Sequence, residues 1–514
     1  MGASTGSAYL VGRAFPRNSR FIALGCLILA AFGLLLLAHQ RPEHLTTVRQ
    51  YIAGGCPDHS YYDADELTFG TATAAAASSP AARQCSADSE IDRMDELWGS
   101  LGLDMSVAHA GSALRVRRVI QKIQRGEKVV IGAVGGSITY GRNLKPENDP
   151  WPWSRLLEKN LKEFFPDADI TVQNGGVPAT GTDYFAYCYH LHVDHDADLI
   201  IIEEAVNDLS INGNAVQAET DLRARQQREN AVTYNSEVLV RNILRQREDN
   251  AVMMLSLWIK TQDYINGADS HAIVAEYYDI PRISHRPYLY RYLMQNPDQV
   301  TTHYLLPDFG HQTQLNHQYM ADSLYRFILQ QVCYLEKHGA ALPEDALKGS
   351  MMERVIDPWP VPPRGIFQRI DSDLKPEVEP FCLSANAKRE GKPLLWPSSV
   401  DGFTNVTIHD KSYWQSDKPG STVTFSDLES HAGGLSIYYK RSNKDMGDML
   451  CWVDDNKDKA VTLIGFWQYV TVGYSMPVRT DLNQGKHSLT CEVLETTHDP
   501  AGGTLVQIIA IMGT

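Results

Sequence analysis

The stretch that decides the fold runs Lys128-Val-Val-Ile-Gly-Ala-Val-Gly-Gly-Ser-Ile-Thr-Tyr140. Val129 to Val134 is a short apolar run rich in β-branched residues, which predicts a buried strand. Gly135 and Gly136 break that strand, so Ser137 is expected at the carboxyl edge of a sheet, where open α/β sheets bind their ligands. Taken alone, the stretch fits equally well a strand-to-helix turn whose serine only caps the helix.

Strand and helix patterns alternate from Lys128 to about His338, which predicts a parallel sheet covered by helices on both faces. The segment before it, 88–126, has helical periodicity. Further strands are expected at 169–173, 199–202, 251–258 and 280–283, and helices at 152–161, 221–247, 273–278 and 313–336.

The composition and the pattern of the sequence change after about Ser350. Prolines cluster between 358 and 363, which indicates a linker. Beyond Phe381, short β-rich runs alternate with Gly, Asp and Asn turns at short intervals. This spacing predicts an antiparallel β-sandwich of jelly-roll type.

The N-terminal part contains an uncharged apolar run, 21–38. A helix of this length spans roughly 27 Å, close to the thickness of a bilayer core. Arg13, Arg17 and Arg20 precede it, so the positive-inside rule places the N-terminus in the cytosol. A cleaved signal peptide is the alternative, but its apolar region is usually shorter and ends in a small-x-small site, which is poorly matched here.

We therefore predict a single-pass type II membrane protein of the secretory pathway (Golgi or endoplasmic reticulum) or the cell surface. Its predicted parts are a cytosolic tail (1–20), a transmembrane signal-anchor (21–38), a stalk (39–87), an α/β domain (88–345), a linker (346–380) and a β-sandwich domain (381–514).

Cysteine usage and charge agree with this compartment. Seven of the eight cysteines follow the apolar run, and no CxxC pair is present, so a structural zinc site is not expected. With an odd number, at least one cysteine stays free or pairs with another chain. Asn405-Val-Thr407 is an N-glycosylation sequon.

The net charge of −15 argues against nucleic acid as a partner.

Four polar segments stand where a parallel sheet delivers side chains to one edge. They are Gly135-Gly136-Ser137, the glycine-rich 174–181 after a strand, Glu203-Glu-Ala-Val-Asn207-Asp208 after the apolar 199–202, and Asp308-Phe-Gly-His311 before the last helix.

These residue types support nucleophilic catalysis when they are combined. A serine hydroxyl is unreactive without a base, and His311 can take the proton of Ser137. Asp308, three residues earlier, can orient that imidazole and stabilise its charged form. Backbone N–H groups of the glycine-rich turn and the amide of Asn207 can donate to a developing oxyanion. Separately, Asp-x-x-His is usually a surface capping pair, and Asn-Asp after a strand is usually a turn.

In this order, the segments resemble the blocks of the SGNH, or GDSL-type, hydrolase family over residues 128–338. The resemblance implies a flavodoxin-like sheet and acyl-ester chemistry without a metal or organic cofactor. It departs from the family pattern at Gly136, where Asp is usual, and at Ala205, where Gly is common. By spacing from Asn174, the oxyanion glycine of the family falls on Ala179, with Gly176 as second choice.

The resemblance implies a catalytic set of Ser137, Asp308 and His311, with Ser137, Ala179, Gly176 and Asn207 as oxyanion candidates. A luminal enzyme of this kind joined to a β-sandwich indicates an esterase for O-acylated, most simply O-acetylated, carbohydrate. An O-acyltransferase with the same acyl-enzyme is the first alternative. A catalytically silent glycan-binding or scaffolding membrane protein is the second.

Overall fold

The computed structural model describes residues 85–144, 151–208, 222–260, 262, 264–296, 310–342, 348, 361–374, 377, 379–392, 394–468 and 471–514. The predicted cytosolic tail and signal-anchor, and most of the stalk, lie outside these ranges. Within them, no helix has the length and hydropathy needed to cross a bilayer.

The run that follows Lys128 forms β2 (Val129–Gly135), a central strand of a six-stranded sheet. The sheet order is β1-β6-β5-β4-β2-β3. Strands β2 to β6 are all parallel to one another, which confirms the predicted parallel sheet. The other strands are β1 (Val107–His109), β3 (Ile170–Asn174), β4 (Leu199–Glu203), β5 (Ala251–Ser256) and β6 (Arg282–Ser284).

Counted along the chain, the five parallel strands have the order 2-1-3-4-5, which is the flavodoxin-like arrangement. Strand β3, which follows β2 in the sequence, lies on one side of β2, and the next strand, β4, lies on its other side. The ends of β2 and β4 therefore form the switch point at which such sheets bind ligands.

Helices cover both faces of the sheet. Strand β4 shows why its sequence is continuously apolar: Leu199 and Ile201 pack into the core on one face, and Ile200 and Ile202 into the core on the other. The helices are α1 (Asp88–Trp98), α2 (Ser100–Ser106), α3 (Leu114–Gln124), α4 (Ser137–Tyr140), α5 (Trp153–Phe164), α6 (Thr182–Cys188), α7 (Leu222–Leu244), α8 (Gly267–Tyr277), α9 (Arg286–Gln295) and α10 (Gln314–His338), with 3₁₀ turns at Tyr189–Leu191 and Lys457–Lys459.

Two sequence-based boundaries were wrong. The segment 88–126 is not helical throughout, because β1 interrupts it and pairs antiparallel with the edge strand β6. Helix α8 starts at Gly267, earlier than predicted, because Asn266 and Asp269 form a capping box at its N-terminus. Periodicity alone did not reveal this start, since the first turn carries few apolar residues.

The C-terminal part forms two antiparallel sheets, as predicted. One has the order β15-β12-β17-β10-β9, with β7 also paired to β17, and the other has the order β14-β13-β16-β11-β8. Apolar residues of both sheets, such as Phe425 and Ile437, share one core. The strands are β7 (Phe381–Ser384), β8 (Ser399–Asp401), β9 (Thr404–Ile408), β10 (Lys411–Ser416), β11 (Thr422–Ser430), β12 (Leu435–Arg441), β13 (Asp448–Val453), β14 (Val461–Ile464), β15 (Val472–Arg479), β16 (Gly485–Val493) and β17 (Val506–Gly513).

The two domains share a buried interface. Strand β17 is buried along its whole length, because Ile508 and Ile511 face the sandwich core while Ile509 and Met512 belong to the core of the α/β domain. The described part of the linker docks as well, since Arg241 of α7 donates to the Pro362 carbonyl at 2.8 Å.

Three disulfides form among the described residues. Cys188–Cys382 joins α6 to β7 and so links the two domains covalently, whereas the others lie within one domain each. They are Cys85–Cys333 and Cys451–Cys491. The seventh cysteine counted above, Cys56, lies outside the described residues.

Candidate active site

The site lies at the switch point of the parallel sheet. Ser137 is the first residue of α4, two positions after β2 ends. Its Oγ is 3.0 Å from Nε2 of His311, which lies three residues before α10. Both side chains are half-buried, so this contact is accessible from the surface.

The two glycines before Ser137 allow this approach. A β-carbon on Gly136 would lie 1.8 Å from Nδ2 of Asn207, and one on Gly135 would lie 2.1 Å from Oγ1 of Thr139. No side chain fits at either position without moving its neighbours. Glycine at 136 therefore leaves the space that the Asn207 amide occupies.

Asn207 is the second polar group at the strand ends. Its amide nitrogen donates to the Thr180 carbonyl at 2.5 Å, which ties it to the glycine-rich turn. The amide thus lies between Gly136, directly before Ser137, and the last part of that turn.

The glycine-rich turn itself is anchored to the end of β2. The N–H of Val177 donates to the Gly135 carbonyl at 2.8 Å. The N–H of Gly176 donates at 3.0 Å to Oδ1 of Asn174, so in this structure it is directed at that side chain. Ala179 adopts φ +58°, the left-handed region that favours glycine. Ala179 therefore adopts a backbone conformation that glycine accepts more readily than alanine.

The base needs a partner on its second nitrogen. For Nε2 to accept the Ser137 proton, Nδ1 must carry hydrogen and donate it. Asp308, the predicted acceptor, lies outside the described residues. Nδ2 of Asn143 lies 3.4 Å from Nδ1 of His311, and Asn143 was not identified from the sequence. Its position after Gly141-Arg142 marks only a turn. An amide nitrogen is a donor, so this contact does not supply the acceptor that an Nδ1–H requires.

Several buried acids lie beneath the strand ends. The Thr139 hydroxyl donates to Glu203 at 2.9 Å, and burial raises the pKa of Glu203 to about 8. Burial, with Asp208 nearby, raises the pKa of Glu204 well above its usual value. Asp183 is also buried, and its pKa rises to about 7. Glu203 is therefore largely protonated at neutral pH.

Asp208 forms a second carboxylate–histidine contact. Its Oδ2 lies 2.6 Å from Nε2 of His271, and both side chains are buried. Its Oδ1 accepts from the Thr182 N–H at 2.7 Å, at the start of α6. The sequence analysis missed His271, because a single histidine inside a helix gives no signal of its partner.

The tryptophans near the site act as packing groups. Trp153 is fully buried; its Nε1 donates to Thr139 at 3.3 Å, and its N–H donates to Nδ1 of His317 at 3.2 Å. Burial lowers the pKa of His317 to about 3, so this imidazole is neutral. In the C-terminal domain, Trp414 is buried and Trp396 is 64% exposed beside it.

Few side chains in the described part of the chain are close enough together to bind a metal ion. The one group of side chains there with atoms close enough to hold an ion is Cys85, Asp88 and Cys333, and its two sulfurs are joined as a disulfide. The sequon residue Asn405 is exposed on β9, and its glycosylation stays a prediction.

Comparison with known proteins shows the fold. No protein-family model and no curated protein matches the sequence. Among solved structures, the chain is similar to a two-domain esterase active on acetylated mannans, co-crystallised with mannopentaose. The TM-score is 0.56 and the sequence identity 20%, and the match covers 80% of this chain and 97% of that chain. A second structure of a two-domain esterase active on acetylated mannans gives TM-score 0.56 and 20% identity over 80% and 98% of the two chains. A catalytic mutant of an acetylxylan esterase from Geobacillus stearothermophilus gives TM-score 0.29 and 16% identity over 40% of this chain and 96% of that one.

The class that follows is an α/β domain of hydrolase fold joined to a C-terminal β domain. The similarity extends over both domains, since it covers most of this chain and nearly all of the esterase.

Proposed function

We propose that the protein is a serine esterase of the SGNH type that removes O-acyl groups, most simply O-acetyl groups, from carbohydrate through an acyl-enzyme on Ser137. The observation that carries this proposal is the 3.0 Å contact between Ser137 Oγ and His311 Nε2 at the switch point of the sheet. Residues 174 apart in sequence meet there. A capping serine does not require an imidazole at this distance.

The proposed reaction begins with attack of Ser137 Oγ on the ester carbonyl carbon while Nε2 of His311 takes the hydroxyl proton. Asp308 is proposed to accept from Nδ1 and stabilise the imidazolium. The carbonyl oxygen becomes an oxyanion, for which the Ala179 N–H and the Asn207 amide are the proposed donors. The bond between the acyl carbon and the sugar oxygen then breaks while His311 protonates that oxygen, which leaves as the sugar hydroxyl. Water activated by the same imidazole then hydrolyses the acyl-enzyme and releases Ser137 and the acid.

The carbohydrate part of the proposal has separate support. The two-domain esterase that is similar over 80% of this chain is active on acetylated mannans. At 20% identity this similarity extends to the fold, so the sugar and the acyl group of the present protein are part of the proposal.

The location is also proposed, from the uncharged run 21–38 and the arginines before it. Three disulfides in the described residues fit an oxidising compartment. A glycosidase-sensitive shift in mass, lost in Asn405→Gln, would support luminal exposure of the C-terminal domain. A mass without glycan in a cell that glycosylates a control sequon would count against it.

The test is hydrolysis of p-nitrophenyl acetate and of acetylated polysaccharides by the purified protein. Ser137→Ala should abolish both activities. Ser100→Ala is the matched control, because Ser100 is an exposed serine that likewise begins a short helix, α2. Activity that survives Ser137→Ala would refute the assignment. Analysis of products with an acceptor sugar present distinguishes hydrolysis from acyl transfer.

A further inference from the structure

The C-terminal domain reaches the candidate site through the hairpin of β9 and β10. The two residues at its tip, His409 and Asp410, have φ of +46° and +64°, as in the tight turn that matches the twist of paired strands. Asn386 fixes the hairpin, since its side chain donates to and accepts from the backbone of Ser412 at 2.9 and 2.8 Å. Oδ2 of Asp410 accepts from the Tyr140 hydroxyl at 2.9 Å. Tyr140 is the last residue of α4, which begins with Ser137.

Two lysines of the same domain hold the glycine-rich turn by its carbonyl groups. Nζ of Lys411, the first residue of β10, donates to the Pro178 carbonyl at 2.9 Å. Nζ of Lys388 donates to the Gly176 carbonyl. Lys411 is only 7% exposed, although a lysine is expensive to bury. A buried ammonium directed at a backbone carbonyl is therefore an unusual way to join two domains.

The direction of these carbonyls determines the direction of the N–H groups beside them. In a trans peptide the N–H points away from the carbonyl, and the chain has no cis peptide among its described residues. The Gly176–Val177 peptide shows the consequence: Lys388 holds its carbonyl, and its N–H donates to the Gly135 carbonyl at 2.8 Å, two residues before Ser137.

The same rule applies to the next peptide that carries a donor. Pro178 has no N–H, so the Pro178–Ala179 peptide supplies the following one. Lys411 holds its carbonyl on the side of the C-terminal domain, so the Ala179 N–H points to the opposite side. The N–H of Gly473 fixes the Ala179 carbonyl as well, at 2.8 Å.

We propose that the C-terminal domain orients the oxyanion-binding peptide of the α/β domain, and that Lys411 is the positioning residue that aims the Ala179 N–H. This inference rests on the proposed esterase function. It assigns to the β-sandwich a part in the chemical step itself, in addition to any binding of sugar. Lys411 contacts no reacting atom; it acts through the Pro178–Ala179 peptide.

Protonation of Lys411 gives the proposal a second readout. Burial, Lys440 and Arg142 lower the pKa of Lys411 to about 7, and Asp183 opposes this shift. The charged ammonium makes the stronger hydrogen bond. Loss of its proton as the pH rises through this pKa weakens the hold on Pro178, so kcat should fall on the alkaline side. His192 also lies close enough to sense this charge, but burial keeps it neutral.

The test measures kcat and KM for p-nitrophenyl acetate, a substrate without sugar. Lys411→Met keeps the length of the side chain and removes the donor. It should lower kcat about 10- to 100-fold, part of the loss that follows removal of a whole oxyanion donor, with little change in KM. Lys411→Arg, which keeps a charged donor, should recover part of that loss. The loss should shrink with the matching thionoester, because sulfur accepts hydrogen bonds weakly.

The matched control is Lys440→Met, which removes a neighbouring lysine on β12 whose ammonium lies over the same Tyr413 ring. It should leave kcat at the optimum unchanged and move the alkaline limb to higher pH, because one positive charge near Lys411 is gone. In Lys411→Met that limb should disappear.

The outcomes are separable. Should wild type and Ser137→Ala hydrolyse the ester equally, the esterase proposal fails. Should only Ser137→Ala lose activity, with Lys411→Met folded and unchanged in kcat and pH profile, this inference alone is overturned. If Lys411→Met does not fold, two other variants test the proposal. An unchanged kcat in Lys388→Met, together with an alkaline limb that does not shift in Lys440→Met, contradicts it.

Discussion

Two histidines at the carboxyl edge of one sheet differ in what they can do. His311 lies half-buried at the rim, 3.0 Å from the hydroxyl of Ser137. His271 lies in the interior, 2.6 Å from a carboxylate oxygen of Asp208, and both partners are buried. By the contact alone, the second pair resembles a catalytic histidine and its carboxylate more closely than the first.

The difference is access. His271 is closed off from solvent, and the other oxygen of Asp208 accepts from the backbone and hydroxyl of Thr182. That pair holds the start of α6 and stabilises the fold. His311 has a nucleophile beside it and an open side. We propose that position relative to solvent separates the catalytic imidazole, His311, from the structural one, His271, and the following experiments test this distinction.

The largest expected effect is the loss of activity in His311→Ala. Removal of the base should lower kcat by about 10³-fold or more, since general base catalysis contributes about 10²–10⁴-fold. The melting temperature should change little, because the side chain is half-exposed. Added imidazole should restore some activity, since the cavity opens to solvent. An active His311→Ala, or one that unfolds, would remove the contrast with His271.

A smaller loss is expected when the oxyanion amide is removed. Asn207→Ala should lower kcat by about 10²-fold, as for deletion of one oxyanion donor. Asn207→Asp has nearly the same shape and should lose more, because it places an acceptor where a donor is proposed. Equal kcat in all three proteins, measured with p-nitrophenyl acetate, would exclude Asn207 from the oxyanion site.

His271→Ala should act on stability, by about 3 kcal/mol in the free energy of unfolding, because it leaves the buried Asp208 carboxylate without its partner. Urea unfolding measures this. The folded fraction should keep kcat within about tenfold of wild type, the range of an indirect effect, and imidazole should not rescue it. A variant of normal stability and no activity would instead make His271 part of the chemistry.

The last prediction concerns how stability depends on pH, and it is measured as a slope. Glu203 has a pKa of about 8 in the fold and an ordinary value when unfolded. Between the two values the folded state binds more protons, so stability should fall as pH rises from about 4.5 to 8, by at most about 1.4 kcal/mol per pH unit. Glu203→Gln should flatten this slope in melting curves at pH 5 and 8. An unaltered slope would mean that other acids cause it.

The local sequence was sufficient for the elements and for the segments that meet at the site. Continuous apolar runs such as 199–202 identify strands buried on both faces, and Ser137 and His311 were both found from residues within a few positions of them. The order of the strands in the sheet was implied only by the resemblance to the SGNH family. The β1 strand was missed, because three residues at an edge carry too little pattern.

What the sequence by itself determined is the alternation of elements and the chemical types of the residues at the strand ends. Only the tertiary structure decided which groups meet there. They are the buried pair of Asp208 and His271, Asn143 beside His311, and Lys411, which donates to the Pro178 carbonyl across 233 residues. The physical reason is range. Hydrophobic periodicity and turn chemistry act between near neighbours, whereas burial, pKa shifts and the direction of a peptide group depend on segments that only folding brings together.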